Sequence, residues 1–200
     1  VGSRSGRYSF PGIDDYGNRN LLNAAYKAKV RQFAYSSVFG GRFMGMSEYI
    51  RSHESFATAL KTSGMRYHVV RTTPVFDSFE GLLKRARKAK IRVIGGGGAL
   101  LNPIHRDDFA VAFVDAVEAH EPEVDIGGPE ILTRREIAEL AVEAWGKIPK
   151  IRSLPLALAS YWSRFSVFRG GHNKFVSAVN TMSSVTDLVA PEKGSLLLSE

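Results

Sequence analysis

The stretch HESFATALKTSGMRYHVVRTTP, residues 53–74, decides the fold. Its first part carries helical spacing and runs out at Gly64, the residue type that most easily takes the left-handed turn ending a helix. RYHVVRTT follows as an apolar run too short for a second helix, a buried strand that ends in Arg71, Thr72 and Thr73 before Pro74.

The same alternation extends in both directions. Upstream, DDYGNRNLLNAAYKAK predicts a helix with an acidic start, a terminal pair of lysines and an apolar face of Leu21, Leu22, Ala25 and Ala28. VRQFAYSS then predicts a short half-buried strand ending in Ser36 and Ser37, and a second helix spans 48–63. Downstream come a helix over 79–90, a strand at IRVIG, an extended segment NPIH, and a helix opening at Asp107 with Phe109, Ala112, Phe113 and Ala116 on one face. VDIGG is extended, and TRREIAELAVEAWG opens with a capping box of Thr133 and Glu136 and closes on Gly146. Short strands alternating with helices argue for an α/β fold built on a parallel sheet.

Composition excludes several classes. An apolar fraction of 44% over 200 residues supports a packed core and rules out a disordered or collagen-like chain. No run of about 20 apolar residues exists, so no membrane span is expected. With no cysteine there is no disulfide framework and no thiolate zinc site, and the five histidines form no metal-binding pair. The net charge of +7 raises the question of nucleic acid or an anionic surface, but much of it sits in KRARKAKIR, 84–92. Basic residues where a helix ends complement its dipole, so no nucleic-acid partner is expected. GGGGALLNP lacks the lysine of a phosphate-binding loop and reads as a tight turn. In HRDD, 105–108, Asp107 or Asp108 is expected to cap the following helix.

Ligands of an open parallel sheet bind beyond the carboxyl ends of its strands. Those ends carry Ser36, Ser37 and the Arg71–Pro74 segment, and Tyr49 and His53 lie one helical turn apart on the intervening helix. A serine hydroxyl, a phenol and an imidazole converging there would suit proton relay. The serine orients a carbonyl and the tyrosine donates or removes its proton, helped by any nearby cation that lowers the phenol pKa from about 10. Histidine supplies that charge only when protonated.

Four segments in order, VRQFAYSS, YIRSHESFATALKTSGMRYHVVRTTPVF, NPIHRDDFAVAFVDAVE and DIGGPEILTRREIAELA, resemble an atypical short-chain dehydrogenase/reductase of the NmrA-like, NAD(P)-binding type. The resemblance covers roughly residues 1–165, and TDLVAPEKGSLLL is similar to the C-terminal tail of some members. It implies the second half of a doubly wound, Rossmann-type parallel sheet with a small C-terminal substrate subdomain. Residues 1–75 would be the C-terminal half of the dinucleotide-binding domain. Residues 76–165 would be the substrate-binding part, with 104–119 packing back on the core, and 166–200 a hinge at FRGGHNK, a helix and a tail.

The resemblance also implies roles. Tyr49, in a Y-x-x-x-K pattern where His53 replaces the lysine, would be the proton donor, with Ser37 or Ser36 orienting the substrate and His53 assisting. The cofactor, NADP or NAD, would lie along Gly2, Ser3, Ser36, Tyr49, His53, Thr72, Thr73, Pro74, Val75 and Phe76. The glycine-rich turn after the first strand of such a fold has no counterpart here. The chain therefore looks cut at its start, with a central strand exposed and poor solubility expected; a monodisperse, cooperatively unfolding sample of these 200 residues would refute that. Gly40, Gly41 and Gly45 would belong to a lid over a small carbonyl or unsaturated metabolite, in a soluble cytoplasmic or organelle-stromal protein. Two other roles stay open: a non-catalytic NAD(P)-binding regulator or assembly factor, and a nucleotide-sugar epimerase-like enzyme.

Overall fold

A computed structural model describes residues 10–41, 48–165 and 186–199. Among these residues the main sheet has three parallel strands in the order β1-β2-β5: β1 is Gln32–Val38, β2 is Arg66–Thr72 and β5 is Glu123–Ile126. The crossover from β1 to β2 is α2, Glu48–Lys61, which stops before Gly64 at φ +76° as the sequence predicts. One face of the sheet packs Tyr35 and Val69 against Phe56, Ala57 and Leu60 of α2 and Leu22 of α1, Asn18–Lys27. The opposite face packs Val70 and Ile126 against Ala112 and Ala116 of α4, Arg106–Glu118, with Phe109 and Phe113 beside them.

The expected face of α1 is rotated. Asp14, Asn18 and Leu22 point inward at i, i+4 and i+8, while Leu21 and Ala28 are exposed and Ala25 is half-buried. A π-helical stretch, Pro11–Gly17, precedes α1, and its wider turn shifts the phase of the helix that continues from it. Asn18 steadies the junction by donating from Nδ2 to the Asp14 carbonyl at 2.9 Å.

A second unit follows β2. A 3-10 turn, Phe76–Phe79, leads into α3, Glu80–Ala86, so the helix expected over 79–90 is shorter than its pattern. Strand β3, Lys90–Ile94, pairs in parallel with β7, Lys150–Leu154, and the short β4, Leu100–Leu101, pairs antiparallel with β6, Leu132–Thr133. α3 and α5, Arg134–Glu143, cover one face of β3 and β7 through Ala86, Ile91, Val93, Ala138 and Val142. Only Lys84 and Arg85 of the basic run lie in the last turn of α3; Lys90 and Arg92 lie in β3. The final described helix is α6, Leu156–Phe165. The FRGGHNK hinge lies outside the described residues.

The caps divide. Thr133 and Glu136 form the expected reciprocal box, at 3.1 and 2.7 Å. The α4 cap is neither Asp107 nor Asp108 but His105, whose Nδ1 accepts from the Asp107 N–H. Asp108 is engaged elsewhere, accepting the backbone N–H groups of Ser195 and Leu196 at 2.9 Å each.

Candidate functional site

The site forms where the carboxyl end of β1 meets the amino end of α2. A single short hydrogen bond sets the geometry: the Tyr35 hydroxyl and His53 Nδ1 are 2.6 Å apart and buried. Burial, reinforced by the nearby Tyr49 hydroxyl and the Asp14 carboxylate, pushes the Tyr35 phenol well above its ordinary pKa, so it keeps its proton and donates. Burial lowers His53 to about 4 against the pull of Glu54, so the ring is neutral at pH 7. With Nδ1 accepting, the ring proton sits on Nε2, which lies 3.9 Å from Asp14 Oδ1, too long for a hydrogen bond.

That bond also fixes what lies beyond it. In a strand–helix–strand crossover the helix runs opposite to the strand, so advancing two residues along β1 matches going back about one turn along α2. Tyr35 opposite His53 therefore directs Ser37, two residues further along the same face of β1, towards the first turns of α2. The Tyr49 ring meets the His53 ring edge to face at 4.4 Å, and Phe10 meets Tyr49 at 5.4 Å. Ser37 is 2% exposed, and its Oγ has no hydrogen-bond partner among the described residues. A buried hydroxyl left without a partner costs stability, which suits a group that waits for a ligand oxygen.

The remaining predicted residues separate. Ser36 lies on the opposite face of β1 from Ser37 and is exposed, so Ser37 alone shares the face with Tyr49 and His53. Thr73 is a strut: its hydroxyl donates to the Asn102 carbonyl at 2.6 Å and its N–H to the Ile126 carbonyl at 3.0 Å. The Thr72 hydroxyl bonds the next carbonyl, and Val75 pairs with Ile104, leaving Thr72, Pro74, Val75 and Phe76 as half-exposed wall at the end of β2. Gly2, Ser3 and Gly45 lie outside the described residues.

His53 supplies no positive charge in this environment. The buried cation beside Ser37 in the strand register is also committed: Arg71, 3% exposed, donates to Glu54 at 3.1 Å and to Glu123 at 2.9 Å. Burial opposes its charge, but those two carboxylates win and hold its pKa above the ordinary value.

The sequence alone did not single out Tyr35, Asp14 or Asn102. Tyr35 sits mid-strand like any core aromatic, and only its hydroxyl contact distinguishes it. Asn102, fully buried, donates to the carbonyls of Gly128 and Ala190 at 3.0 and 2.7 Å and accepts from the Ala190 N–H at 3.0 Å, tying the 186–199 tail to the sheet end. The signal that points to it is the Gly127–Gly128 pair: a Cβ on Gly127 would lie 2.2 Å from Asn102 Nδ2 and one on Gly128 1.7 Å from the Pro103 carbonyl. Leu188 of the tail is buried beside Ile50 and Leu101, in the same cluster as Tyr49.

No protein-family model matches this chain, and no curated protein sequence matches it. Solved structures do match. A nucleoside-diphosphate-sugar epimerase from Staphylococcus aureus is 18% identical, covers 87% of this chain and superimposes with a TM-score of 0.70. The NADPH-dependent quinone oxidoreductase of Escherichia coli, at 18% identity, covers 83% with a TM-score of 0.68. The triphenylmethane reductase of Citrobacter sp., complexed with NADP(H), is 19% identical and covers 86% with a TM-score of 0.63. The fold is the α/β, Rossmann-type fold that these structures share. The chain spans 62%, 61% and 62% of their respective lengths.

Proposed function

We propose that this protein is an NAD(P)-binding oxidoreductase of the atypical short-chain, NmrA-like type, acting on a small carbonyl or unsaturated metabolite. The observation that carries the proposal is the buried Ser37 hydroxyl, without a hydrogen-bond partner among the described residues, on the α2-facing side of β1 at the ligand end of a parallel sheet. In this reading Ser37 donates a hydrogen bond to the substrate oxygen, and Tyr49 passes its proton to that oxygen as the carbon is reduced. A reduced nicotinamide, bound across the ends of β1 and β2 against Thr72, Pro74, Val75 and Phe76, would supply the hydride. The donor set fits such a group: one orphaned hydroxyl, one phenol and a half-exposed apolar wall. The division at residues 75 and 165 into dinucleotide-binding, substrate-binding and tail segments belongs to the same proposal, supported by α4 returning to pack on β2.

A second reading is a cofactor-binding regulator or assembly factor without turnover. It draws on the neutral His53 and the fully engaged Arg71, which leave Tyr49 without a cation from either. The epimerase among the structural neighbours keeps sugar-nucleotide chemistry as a weaker alternative. Calorimetric titration of NADH and NADPH into the full natural chain, with Tyr49→Phe assayed on a carbonyl panel, separates these. Binding with turnover that Tyr49→Phe abolishes supports the oxidoreductase. Binding without turnover in either protein favours the regulator, and no binding of either dinucleotide overturns both.

A further inference from the structure

The pairing of β3 with β7 brings together two basic segments that are far apart in sequence. Lys90 stands directly opposite Lys150, and Arg92 directly opposite Arg152. All four are exposed, and they alternate with Ile91, Val93 and Ile151, which face the helices, so the four cations share the outer face. Neighbouring strands are about 4.8 Å apart and residues two apart in a strand about 7 Å. Four positive charges therefore fall within one Debye length, about 10 Å at 0.1 M salt. Among the described residues none of the four is ion-paired. Like charges directly opposite one another destabilise a sheet, so this square needs an anionic counterpart to account for it.

The surface beside the square is apolar. The next register pair on the same face is Ile94 and Leu154, both half-buried. Just before β7, Ile148 is 82% exposed. We propose that this face docks on an anionic lipid bilayer, with Lys90, Arg92, Lys150 and Arg152 over the headgroups and Ile94, Ile148 and Leu154 at the interface. Exposed aliphatic side chains beside a cation cluster favour lipid over nucleic acid, because a bilayer surface rewards both together, whereas phosphate contacts on nucleic acid come from charged and polar groups. No helix among the described residues is long and apolar enough to cross a membrane, and the proposed contact is peripheral.

The test is flotation of the full natural chain with phosphatidylcholine vesicles, with and without phosphatidylserine. Binding is expected only to the anionic vesicles and is expected to fall with added salt. Each cation replaced by glutamine lowers binding about five-fold, from about 1 kcal/mol per basic residue, and the quadruple variant K90Q/R92Q/K150Q/R152Q lowers it roughly several hundred-fold. A control variant, K27Q/K29Q/R31Q, removes exposed cations elsewhere and leaves binding intact. I148S removes most of the binding that survives salt. The quadruple variant relieves like-charge pairs, so its thermal midpoint stays equal to or rises above that of the parent. Equal binding by parent and quadruple variant overturns the proposal, as does equal binding to neutral vesicles, tighter binding to duplex DNA than to anionic vesicles, or a lower midpoint.

Discussion

Replacing His53 by glutamine changes how stability depends on pH, by an amount that follows from its surroundings. His53 is 8% exposed, its Nδ1 accepts from Tyr35, and burial holds its pKa at about 4. In the unfolded chain the imidazole returns to about 6.5. Between those values the unfolded state binds the proton and the folded state does not, so stability is complete above about pH 6.5 and drains away as pH falls towards 4. The full loss is about 3 kcal/mol at 1.36 kcal/mol per pKa unit, and about 2.5 kcal/mol has gone by roughly pH 4.5. Glutamine can still accept from Tyr35 but does not titrate. Urea unfolding followed by circular dichroism, on both proteins at neutral pH and near 4.5, isolates the difference, because the carboxylates and the other histidines titrate alike in the two. The parent is expected to lose about 2.5 kcal/mol more than His53→Gln. Equal losses would refute the buried neutral ring. A parent that loses less would mean that Asp14 holds an imidazolium, which reverses the sign.

Four further outcomes follow from particular positions. Arg71→Met strands Glu54 and leaves Glu123 to Lys61, each acid about a quarter exposed, and is expected to cost about 2–3 kcal/mol in urea unfolding, below the cost of breaking a fully buried pair. Gly128→Ala drives a Cβ to within 1.7 Å of the Pro103 carbonyl and is expected to unfold the domain or lower its thermal midpoint sharply. Gly81→Ala, in exposed helix with nothing within 4 Å, raises the midpoint, by about 0.5 kcal/mol of added stability. Asn102→Ala removes the three hydrogen bonds that hold Gly128 and Ala190, so limited proteolysis is expected to cut the 186–199 segment much faster than in the parent.

The sequence by itself determined the α/β alternation, the stop at Gly64, the Thr133–Glu136 box and the buried face of α4, because each depends on residues within a turn or two of one another. It also brought Tyr49 and His53 to one helix face and Ser37 and Thr73 to strand ends. Only tertiary structure decided which groups meet. Tyr35 claims His53 across the strand–helix interface, and burial there makes the imidazole a neutral acceptor where the sequence left its charge open. The α1 face was missed because a π-helical turn upstream reset its phase, and the α4 cap because Asp108 was drawn to a tail 87 residues away. The four-cation square exists only in the register between β3 and β7, since a one-residue slip would turn either pair of cations into the core. Periodicity reports which way a side chain points along its own element. What stands opposite it is set by packing between elements, where register, burial and the competition for hydrogen-bond partners are settled together.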